Sequence, residues 1–345
     1  MVYVVILNWN GWRDTVECLE SLLRLADHDV RIVVCDNAST DESLLRIQEW
    51  AGGTEPCPQP SERFSGLFES PLTKPVPTTV WVPGEAVSGD DEARVILVPT
   101  GANLGFAGGC NVGLRYVLAR ADAEFIWLLN NDTVVPSDSL RHLRDTMHRR
   151  PDVGLCGSTL RFYDEPEKVQ CYGGYDFNTW TARVKPVGTK FTGEALPNET
   201  KIEQELKYIN GASTFLRPEF LWTVGLMNEQ YFLYFEEIDW ATRAKGDFAL
   251  GYCSKSTVYH KEGMSIGSDR SQEKRSLFSE RYLSRNRALF MRTYYPVRLP
   301  VTMLWIGLVI VYRLLRGRFG LAKMVWLSAW SGILTRPQAV PSLTR

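Results

Sequence analysis

Short apolar segments alternate with amphipathic stretches from the N-terminus to about Arg150 of this 345-residue chain. Apolar residues recur at helical spacing in the intervening stretches, as at Val16, Leu19 and Leu22. Strands that alternate with helices form a mainly parallel sheet with right-handed crossovers. We therefore predict an α/β domain in which helices flank that sheet. The predicted strands cover residues 2–7, 32–35, 95–98 and 125–129.

A proline-rich segment at about residues 52–92 interrupts this alternation. Its prolines argue against a regular helix or a central strand, and so long a loop is unusual inside a compact domain. We interpret it as an insertion between the second helix and the third strand, with a short hairpin around residues 79–82. The prolines are Pro56, Pro58, Pro60, Pro71, Pro75, Pro77 and Pro83.

The C-terminal part is apolar and basic, so we divide the chain into residues 1–292 and 293–345. Residues 299–312 are almost wholly apolar but fall short of the roughly 20 residues that a spanning helix needs. A second apolar stretch, residues 319–334, contains Lys323. Arginines flank the first stretch, which is typical of interfacial or re-entrant helices facing anionic lipid. We expect membrane-surface association; a buried helical hairpin is the alternative.

Composition restricts the class of protein further. The net charge is -1 and no long basic run is present, so we expect no nucleic-acid partner. The seven cysteines form no C-x-x-C pair, which argues against a disulfide framework or zinc knuckle and fits a reducing cytosol. The N-terminus has no basic region before its apolar run, so we expect a buried first strand rather than a signal peptide.

Polar side chains follow the first two predicted strands. Asn8-Trp9-Asn10-Gly11 stands where a dinucleotide-binding fold would have G-x-G-x-x-G. Its amides and indole can hold a nucleoside through hydrogen bonds and stacking, although a simple turn explains these residues equally well. Asp36 follows the second strand, where an acid can accept a hydrogen bond from a ribose or base. Ser39 and Thr40 are sufficiently explained as caps of the next helix.

Two further loops resemble ligand-binding segments. Residues 103–111 are rich in glycine and open a helix, where the backbone can approach an anion such as a diphosphate. Asn130-Asn131-Asp132 follows the predicted strand at 125–129. Its carboxylate can hold Mg²⁺ or Mn²⁺ together with diphosphate oxygens. An Asx turn that caps the following helix is the alternative.

Three acids stand at a predicted helix N-terminus in Glu236-Glu237-Ile238-Asp239. Helical spacing places Glu236 and Asp239 on one side and directs Glu237 elsewhere. Acids suit a helix N-terminus in any case, but two adjacent glutamates after an aromatic run exceed what capping requires. A carboxylate in a partly apolar site has the raised basicity of a general base. His260 ends another apolar run, where a lone histidine is more often structural than catalytic.

Together these motifs resemble the family 2 glycosyltransferases with a GT-A fold, particularly their bacterial rhamnosyltransferase-like branch. The resemblance spans roughly residues 2–292 apart from the insertion, and the order of the motifs makes it specific. It implies a Rossmann-like nucleotide-diphospho-sugar transferase fold and inverting transfer of a sugar from a nucleoside-diphosphate donor to an acceptor hydroxyl. The matching segments are residues 6–11, 36–41, 103–111, 128–133, 210–212 and 235–243, with His260.

The resemblance also implies residue roles. Glu237 matches the second acid of the family's Glu-Asp pair and becomes the general base, with Glu236 and Asp239 as further catalytic candidates. Asp132 stands at the D-x-D motif as the ligand of Mg²⁺ or Mn²⁺, and His260 becomes a second ligand. The candidates for binding the nucleotide sugar are Asn8, Asn10, Asp36, Asn103, Gly105, Asn111, Asn130 and Asn131.

The chain departs from the D-x-D pattern at its first position, where Asn130 replaces an acid and supplies a weaker ligand. Arg285 and Asn286 also resemble a family motif, which could bind a diphosphate or acceptor or pack the C-terminal helices.

Our hypothesis is a cytoplasmic enzyme, peripheral to the inner face of the plasma membrane, that adds rhamnose or another hexose to a glycan or lipid-linked acceptor in cell-surface polysaccharide synthesis. One alternative is a catalytically inactive nucleotide-sugar-binding protein, which Asn130 motivates. Another is a sugar-phosphate nucleotidyltransferase, which usually has a glycine- and lysine/arginine-rich phosphate loop where this chain has residues 8–11.

Overall fold

The computed structural model describes residues 1–58, 62–87, 92–188, 196–261 and 277–343. Strands and helices alternate in the first part of the chain, as predicted. The elements there are β1 (Val2–Asn8), α1 (Trp12–Leu22), β2 (Val30–Asp36), α2 (Ser43–Gly52), β3 (Thr78–Val80), β4 (Val95–Pro99), α3 (Gly105–Arg120), β5 (Phe125–Asn130), β6 (Thr133–Val134) and α4 (Ser139–Arg149).

The second part is mixed and carries most of the antiparallel pairing. Its elements are β7 (Val153–Phe162), β8 (Val169–Tyr172), β9 (Gly174–Asn178), β10 (Arg183–Pro186), α5 (Glu199–Glu205), β11 (Tyr208–Ile209), β12 (Ser213–Leu216), α6 (Pro218–Val224), α7 (Glu236–Arg243) and β13 (Ala249–His260). Three C-terminal helices follow: α8 (Leu277–Tyr294), α9 (Leu299–Leu315) and α10 (Phe319–Leu334).

One large sheet has the strand order β3-β4-β2-β1-β5-β12-β7-β13-β6, with β8 paired to β7. Strands β3, β4, β2, β1 and β5 are mutually parallel, whereas β12 runs antiparallel to β5 and β7. A smaller sheet contains β10, β9 and β11. Because parallel strands end on the same edge, the loops after β1, β2 and β5 meet there.

Helices cover both faces of the parallel strands. Val4 of β1 belongs to a core that includes Val16 of α1 and Trp50 of α2, whereas its neighbour Val5 packs with Leu114 of α3 on the opposite face. Burial on both faces explains why these strands are apolar along their whole length rather than alternating.

The predicted hairpin in the insertion is wrong. β3 is an edge strand that pairs in parallel with β4, and the proline-rich chain around it is tolerated because an edge strand leaves backbone groups unpaired. Two other described parts of the insertion contact α1 and α2. Arg24 of α1 donates to the carbonyl of Ser70 at 2.8 Å, and the Lys74 ammonium lies 3.5 Å from the centre of the Trp50 ring.

The apolar C-terminal run forms a longer helix than its sequence indicated. The 3₁₀ turn Pro296–Arg298 and α9 together form the one helical segment among the described residues whose length and composition would allow it to cross a membrane, with 20 residues and a mean hydropathy of 1.6. Large apolar side chains on α9 and α10, including Leu304, Leu308, Trp326 and Leu327, are exposed. Ala288 of α8 and Ala329 of α10 form a small core of their own, so the helical pair is attached to α8.

Candidate active site

A cavity of about 430 Å³ opens at the edge where β1, β2 and β5 end. Trp9 follows β1, Asn37 follows β2, and residues 130–132 end β5 and enter the next turn. The start of α7 and the end of β13 reach the same space, which brings Glu237 and His260 close to residues more than a hundred positions away in the chain.

Eight of the predicted residues line this cavity, and five do not. The lining residues are Asn103, Gly105, Asn130, Asn131, Asp132, Glu236, Glu237 and His260. The residues outside the lining are Asn8, Asn10, Asp36, Asn111 and Asp239. The roles assigned to these residues remain predictions; the structure establishes their positions.

Asn8 and Asn10 bind other parts of the protein. The buried Asn8 amide donates to Asp36 Oδ1 at 2.7 Å and accepts from the Thr15 hydroxyl at 2.8 Å. Asn10 Oδ1 accepts from the Thr40 backbone N–H at 2.7 Å. These bonds join the loops after β1 and β2, so both asparagines shape the wall of the cavity from behind.

Asn37 is a lining residue that the sequence analysis missed, although it follows Asp36 directly. Its amide donates to Asn103 Oδ1 at 3.0 Å and to the Gly105 carbonyl at 3.2 Å. Asn111 does not reach the cavity. It is fully buried and donates to the Met227 carbonyl and to Glu229, each at 2.9 Å, which ties α3 to the chain that precedes α7.

His260 lies beside Asp132 in the cavity wall, with 3.3 Å between Nε2 and Oδ1. Antiparallel pairing of β13 with β6 creates this proximity because it places His260 opposite Thr133. The Asn130 amide nitrogen lies 3.4 Å from the same Nε2. A carboxylate, an imidazole and a neighbouring side-chain amide are ligands that Mg²⁺ or Mn²⁺ can use.

Gln170 on β8 determines which imidazole nitrogen carries the proton. Its amide N–H donates to the His260 carbonyl at 3.0 Å, so its oxygen faces Nδ1 at 3.0 Å. Nδ1 is therefore the donor, and in a neutral ring the lone pair of Nε2 points at the Asp132 carboxylate. Two lone pairs repel each other at this distance, and either a proton or a cation between them removes the repulsion.

The residues thus fit a divalent cation, with Gln170 as a support that the sequence analysis did not identify. Among the residues that the structure describes, no three acidic, histidine or cysteine side chains form a metal cluster. Ligand oxygens would have to complete the coordination, as is usual for Mg²⁺ bound beside a phosphate.

Lys261 attaches the end of β13 to α1. Its ammonium lies 2.6 Å from Asp14 and 2.5 Å from Glu17 of α1, and its backbone N–H donates to the Asp132 carbonyl at 3.0 Å. Burial acts to lower the Lys261 pKa, but these two acids together hold it above its usual value. His260 is therefore followed by a charged residue that anchors the strand to α1.

Glu236 and Glu237 begin α7 inside the cavity wall. Burial raises the pKa of Glu237 to about 7, while its carboxylate accepts hydrogen bonds from the backbone N–H groups of Glu237 and Gly211. Gly211 permits this approach, since a Cβ there would lie 2.6 Å from Glu237 Oε1. Burial and the charge of Glu237 raise the pKa of Glu236 well above its usual value. A carboxylate that titrates near neutrality is suited to general-base chemistry.

The loop before these acids has an unusual backbone. Phe232, Tyr234 and Phe235 have φ angles of 64°, 67° and 77°, a region that bulky residues rarely occupy. Such conformations cost about 1–3 kcal/mol each and persist only where the surroundings hold them. Gly105 touches this loop closely, because a Cβ there would lie 2.3 Å from the Phe232 carbonyl oxygen. The glycine-rich segment thus packs on the loop as well as lining the cavity.

Asp239 is separated from the two glutamates. Its buried carboxylate accepts from Arg243 at 2.8 Å and from the Tyr294 hydroxyl at 2.7 Å, so it links α7 to α8. Helical spacing predicted Glu236 and Asp239 on one side of α7 and Glu237 on another. Instead, the cavity wall contains both glutamates and not Asp239.

The remaining wall is largely aromatic and apolar. Tyr175 and Tyr208 stack with ring centres 5.3 Å apart, and Val184 of β10 lies beside them. Arg287 of α8 adds a cation to the lining. The sequence analysis did not identify these residues as part of a site.

Comparisons with known proteins indicate a family of enzymes. Residues 85–198 match the model of Glycosyl transferase family 2. The chain is 24% identical over 170 residues to the low-salt glycan biosynthesis hexosyltransferase Agl10 of Haloferax volcanii, covering 48% of this chain and 51% of that protein. It is 26% identical over 201 residues to the N-acetylglucosaminyl-diphospho-decaprenol L-rhamnosyltransferase of Mycobacterium tuberculosis, covering 51% of this chain and 62% of that protein.

Solved structures resemble the fold over most of its length. The mannosyltransferase PcManGT of Pyrobaculum calidifontis, in complex with GDP-Man and Mn²⁺, has a TM-score of 0.50 and 12% identity, covering 96% of this chain and 87% of its own. GalNAc-T7 with UDP, GalNAc and Mn²⁺ has a TM-score of 0.52 and 14% identity, covering 85% of this chain and 51% of its own.

The likeness to these solved structures confirms the GT-A fold that the sequence predicted. The resemblance to the family 2 glycosyltransferases is likewise confirmed by the family match and by the two relatives. The matched regions span about half to three-fifths of the length of these relatives, 51% and 62% respectively.

The raised pKa of Glu237 predicts a pH-dependent stability effect. An acid whose pKa is about 7 when folded and 4.5 when unfolded contributes stability that is present below pH 4.5 and lost as the pH rises through 7. At pH 8 we expect Glu237→Gln to be more stable than the wild type, with a free energy of unfolding higher by up to about 3 kcal/mol. This difference should disappear near pH 4.5, and urea denaturation at both pH values measures it.

Glu219→Gln is the matched control, because Glu219 is an exposed acid on α6 outside the cavity. The same change there removes an exposed carboxylate outside the cavity, so we expect it to give no comparable gain in stability at pH 8. A Glu237→Gln protein whose stability difference does not change with pH would show that Glu237 does not titrate near neutrality.

Proposed function

We propose that the protein is an inverting glycosyltransferase, which moves a sugar from a nucleoside-diphosphate donor to a hydroxyl of a glycan or lipid-linked acceptor. The proposal depends on one observation above all: Glu237, with a pKa of about 7, lines the same cavity as Asp132 and His260. A base and a diphosphate site in one cavity are what this reaction requires.

In the proposed reaction, Glu237 takes the proton of the acceptor hydroxyl while that oxygen attacks the anomeric carbon. The new carbon–oxygen bond forms on the side opposite the leaving diphosphate, whose bond to the sugar breaks with its electron pair. In-line attack inverts the anomeric centre. The loops after β1 and β2, with residues 103–106, would hold the nucleoside part, and the apolar wall at Tyr175 and Tyr208 would receive the acceptor.

Asp132 and His260 would hold Mg²⁺ or Mn²⁺, with Asn130 beside them. When bound, the cation would neutralise charge that develops on the leaving diphosphate. The Mn²⁺ in both solved GT-A neighbours supports this assignment. Asn130 and Asn131 would complete the polar surface that faces the diphosphate.

A lipid-linked acceptor at a membrane surface is the substrate that we favour, with rhamnose or another hexose as the transferred sugar. The mycobacterial relative is named for a diphospho-decaprenol substrate, which supports that class. The turn between β9 and β10 contacts α9, because Thr302 donates to the Trp180 carbonyl at 2.9 Å, and Val184 of β10 lines the cavity. We place the enzyme at the inner face of the plasma membrane, with residues 293–345 as its attachment.

Removing the proposed base tests the reaction. A mass-spectrometric screen of nucleotide sugars, with and without Mg²⁺ or Mn²⁺, first identifies the donor; acceptors are then tested with it. We expect Glu237→Gln to lower kcat for transfer by about 10²–10⁴-fold, because an amide cannot take the proton. Glu219→Gln is the control and should transfer at the wild-type rate. Wild-type transfer by Glu237→Gln would disprove the base assignment, and a wild type that consumes no nucleotide sugar would favour the binding-only alternative.

Gln170 tests the metal assignment by a measurement that needs no turnover. Gln170→Ala frees the imidazole to rotate and to move its proton, so we expect Mn²⁺ to bind about 10- to 100-fold more weakly. Electron paramagnetic resonance of free Mn²⁺, titrated with protein in the presence of nucleoside diphosphate, measures this affinity. The control is Gln204→Ala, an exposed glutamine on α5. Equal Mn²⁺ affinity in wild type, Gln170→Ala and Asp132→Asn would exclude this metal site.

Vesicle binding tests the membrane attachment. We expect the protein to sediment with vesicles that contain phosphatidylglycerol, because the exposed leucines of α9 are accompanied by arginines. Burying one leucine is worth about 1.5–3 kcal/mol, so Leu304→Asp should weaken binding at least about tenfold. Leu45→Asp changes an exposed leucine on α2 and is the control. A wild type that binds neither phosphatidylglycerol nor pure phosphatidylcholine vesicles would refute the attachment and leave the transferase proposal standing.

A further inference from the structure

One amide on α8 holds the strained loop that precedes the two glutamates. The fully buried Asn286 donates from Nδ2 to the carbonyls of Tyr231, Leu233 and Tyr234, at 2.7, 2.8 and 2.9 Å. A side-chain amide has two N–H groups, so the three carbonyls share them. Buried carbonyls need such partners, and these carbonyls belong to the backbone that turns through positive φ.

Arg285 orients this amide. Its guanidinium donates to Asn286 Oδ1 at 2.7 Å and to the Gln230 carbonyl at 3.0 Å. Because the oxygen of the amide is occupied by Arg285, its nitrogen must face the loop. The pair therefore acts in series, with Arg285 acting on the loop largely through Asn286.

The same loop is also connected to the chain beyond α10. Gln230 donates to the Arg336 carbonyl at 2.8 Å, and α8 packs so closely on α10 that a Cβ at Gly332 would lie 2.0 Å from the Arg285 carbonyl oxygen. The apolar C-terminal segment thus supports, through α8, the backbone on which Glu236 and Glu237 are presented.

We infer that Asn286, oriented by Arg285, is a positioning residue that holds the left-handed loop at residues 231–235 and thereby sets Glu237 in the cavity for proton removal. The inference rests on the proposed function, since it concerns the general base of that reaction. It assigns the two residues to positioning, in place of the diphosphate or acceptor binding that their sequence motif left open.

The test compares Asn286→Ala, Arg285→Leu and the double variant in the transfer assay. Without the amide the loop relaxes and Glu237 moves, so we expect kcat to fall about 10- to 100-fold with little change in KM for the donor. The acid limb of the kcat–pH profile should move below pH 7, because a displaced and hydrated Glu237 loses the burial that raises its pKa. Arg285→Leu should have a smaller effect, and almost none in the Asn286→Ala background.

Arg292→Leu is the matched control on the same helix. Arg292 donates to the Thr335 carbonyl at 2.9 Å and has no hydrogen bond to the loop, so its loss should weaken packing without moving the acid limb. A folded Asn286→Ala protein with wild-type kcat and an unmoved acid limb would overturn the inference. If Asn286→Ala does not fold, an Arg285→Leu protein with both properties would overturn it. Wild-type transfer by Glu237→Gln would count against the base assignment instead, because that variant leaves Asn286 intact.

Discussion

The burial of two adjacent carboxylates at the start of α7 is the constraint on which the cavity depends. Burial disfavours the charged form of Glu237, and the Glu237 charge further disfavours ionisation of Glu236. Neither effect would persist if the loop before α7 could relax and admit water. The loop is held in a strained shape by Asn286, and the Gly211 backbone receives the Glu237 carboxylate. Strain and burial are therefore two parts of one arrangement, and they locate a group that titrates near pH 7.

The opposite wall depends on a second electrostatic arrangement, in which groups from distant strands are brought together. His260 and Asp132 lie close enough to require a positive charge between them once Gln170 has placed the proton on Nδ1. Lys261 satisfies Asp14 and Glu17 beneath them, and so keeps its own charge away from this pair. The wall with Asp132 and His260 thus favours a cation, whereas the wall with the two glutamates favours a neutral or weakly ionised carboxylate. This separation suits both stabilisation of a leaving group and removal of a proton in one cavity.

The strand ends could be predicted from the sequence because buried strands are apolar throughout and end in polar loops; this located residues 130–132 and His260. Glu237 was located by its position at a predicted helix N-terminus after an aromatic run. Side-chain direction could not be predicted. Asn8 and Asn10 are polar residues at a strand end, yet their amides turn inward to join two loops. Gln170 and Asn286 act through hydrogen bonds to groups far away in the chain, which no local spacing reveals. The prediction of a hairpin in the insertion was wrong for a related reason: tertiary contacts determine which strands pair, and β3 pairs in parallel with β4.

The position of α8 connects the C-terminal helices to the cavity as well as to the proposed membrane attachment. α8 contributes Asn286 to the loop before the glutamates and Ala288 to the small core shared with α9 and α10. Because close-packed interiors deform little, a shift of α10 against Arg285 would reach the loop through α8. The contact between Gly332 and the Arg285 carbonyl leaves no space to absorb such a movement. A substitution at Gly332, which lies directly against the Arg285 carbonyl, therefore acts both on the packing of the apolar helices and on the loop before the proposed base.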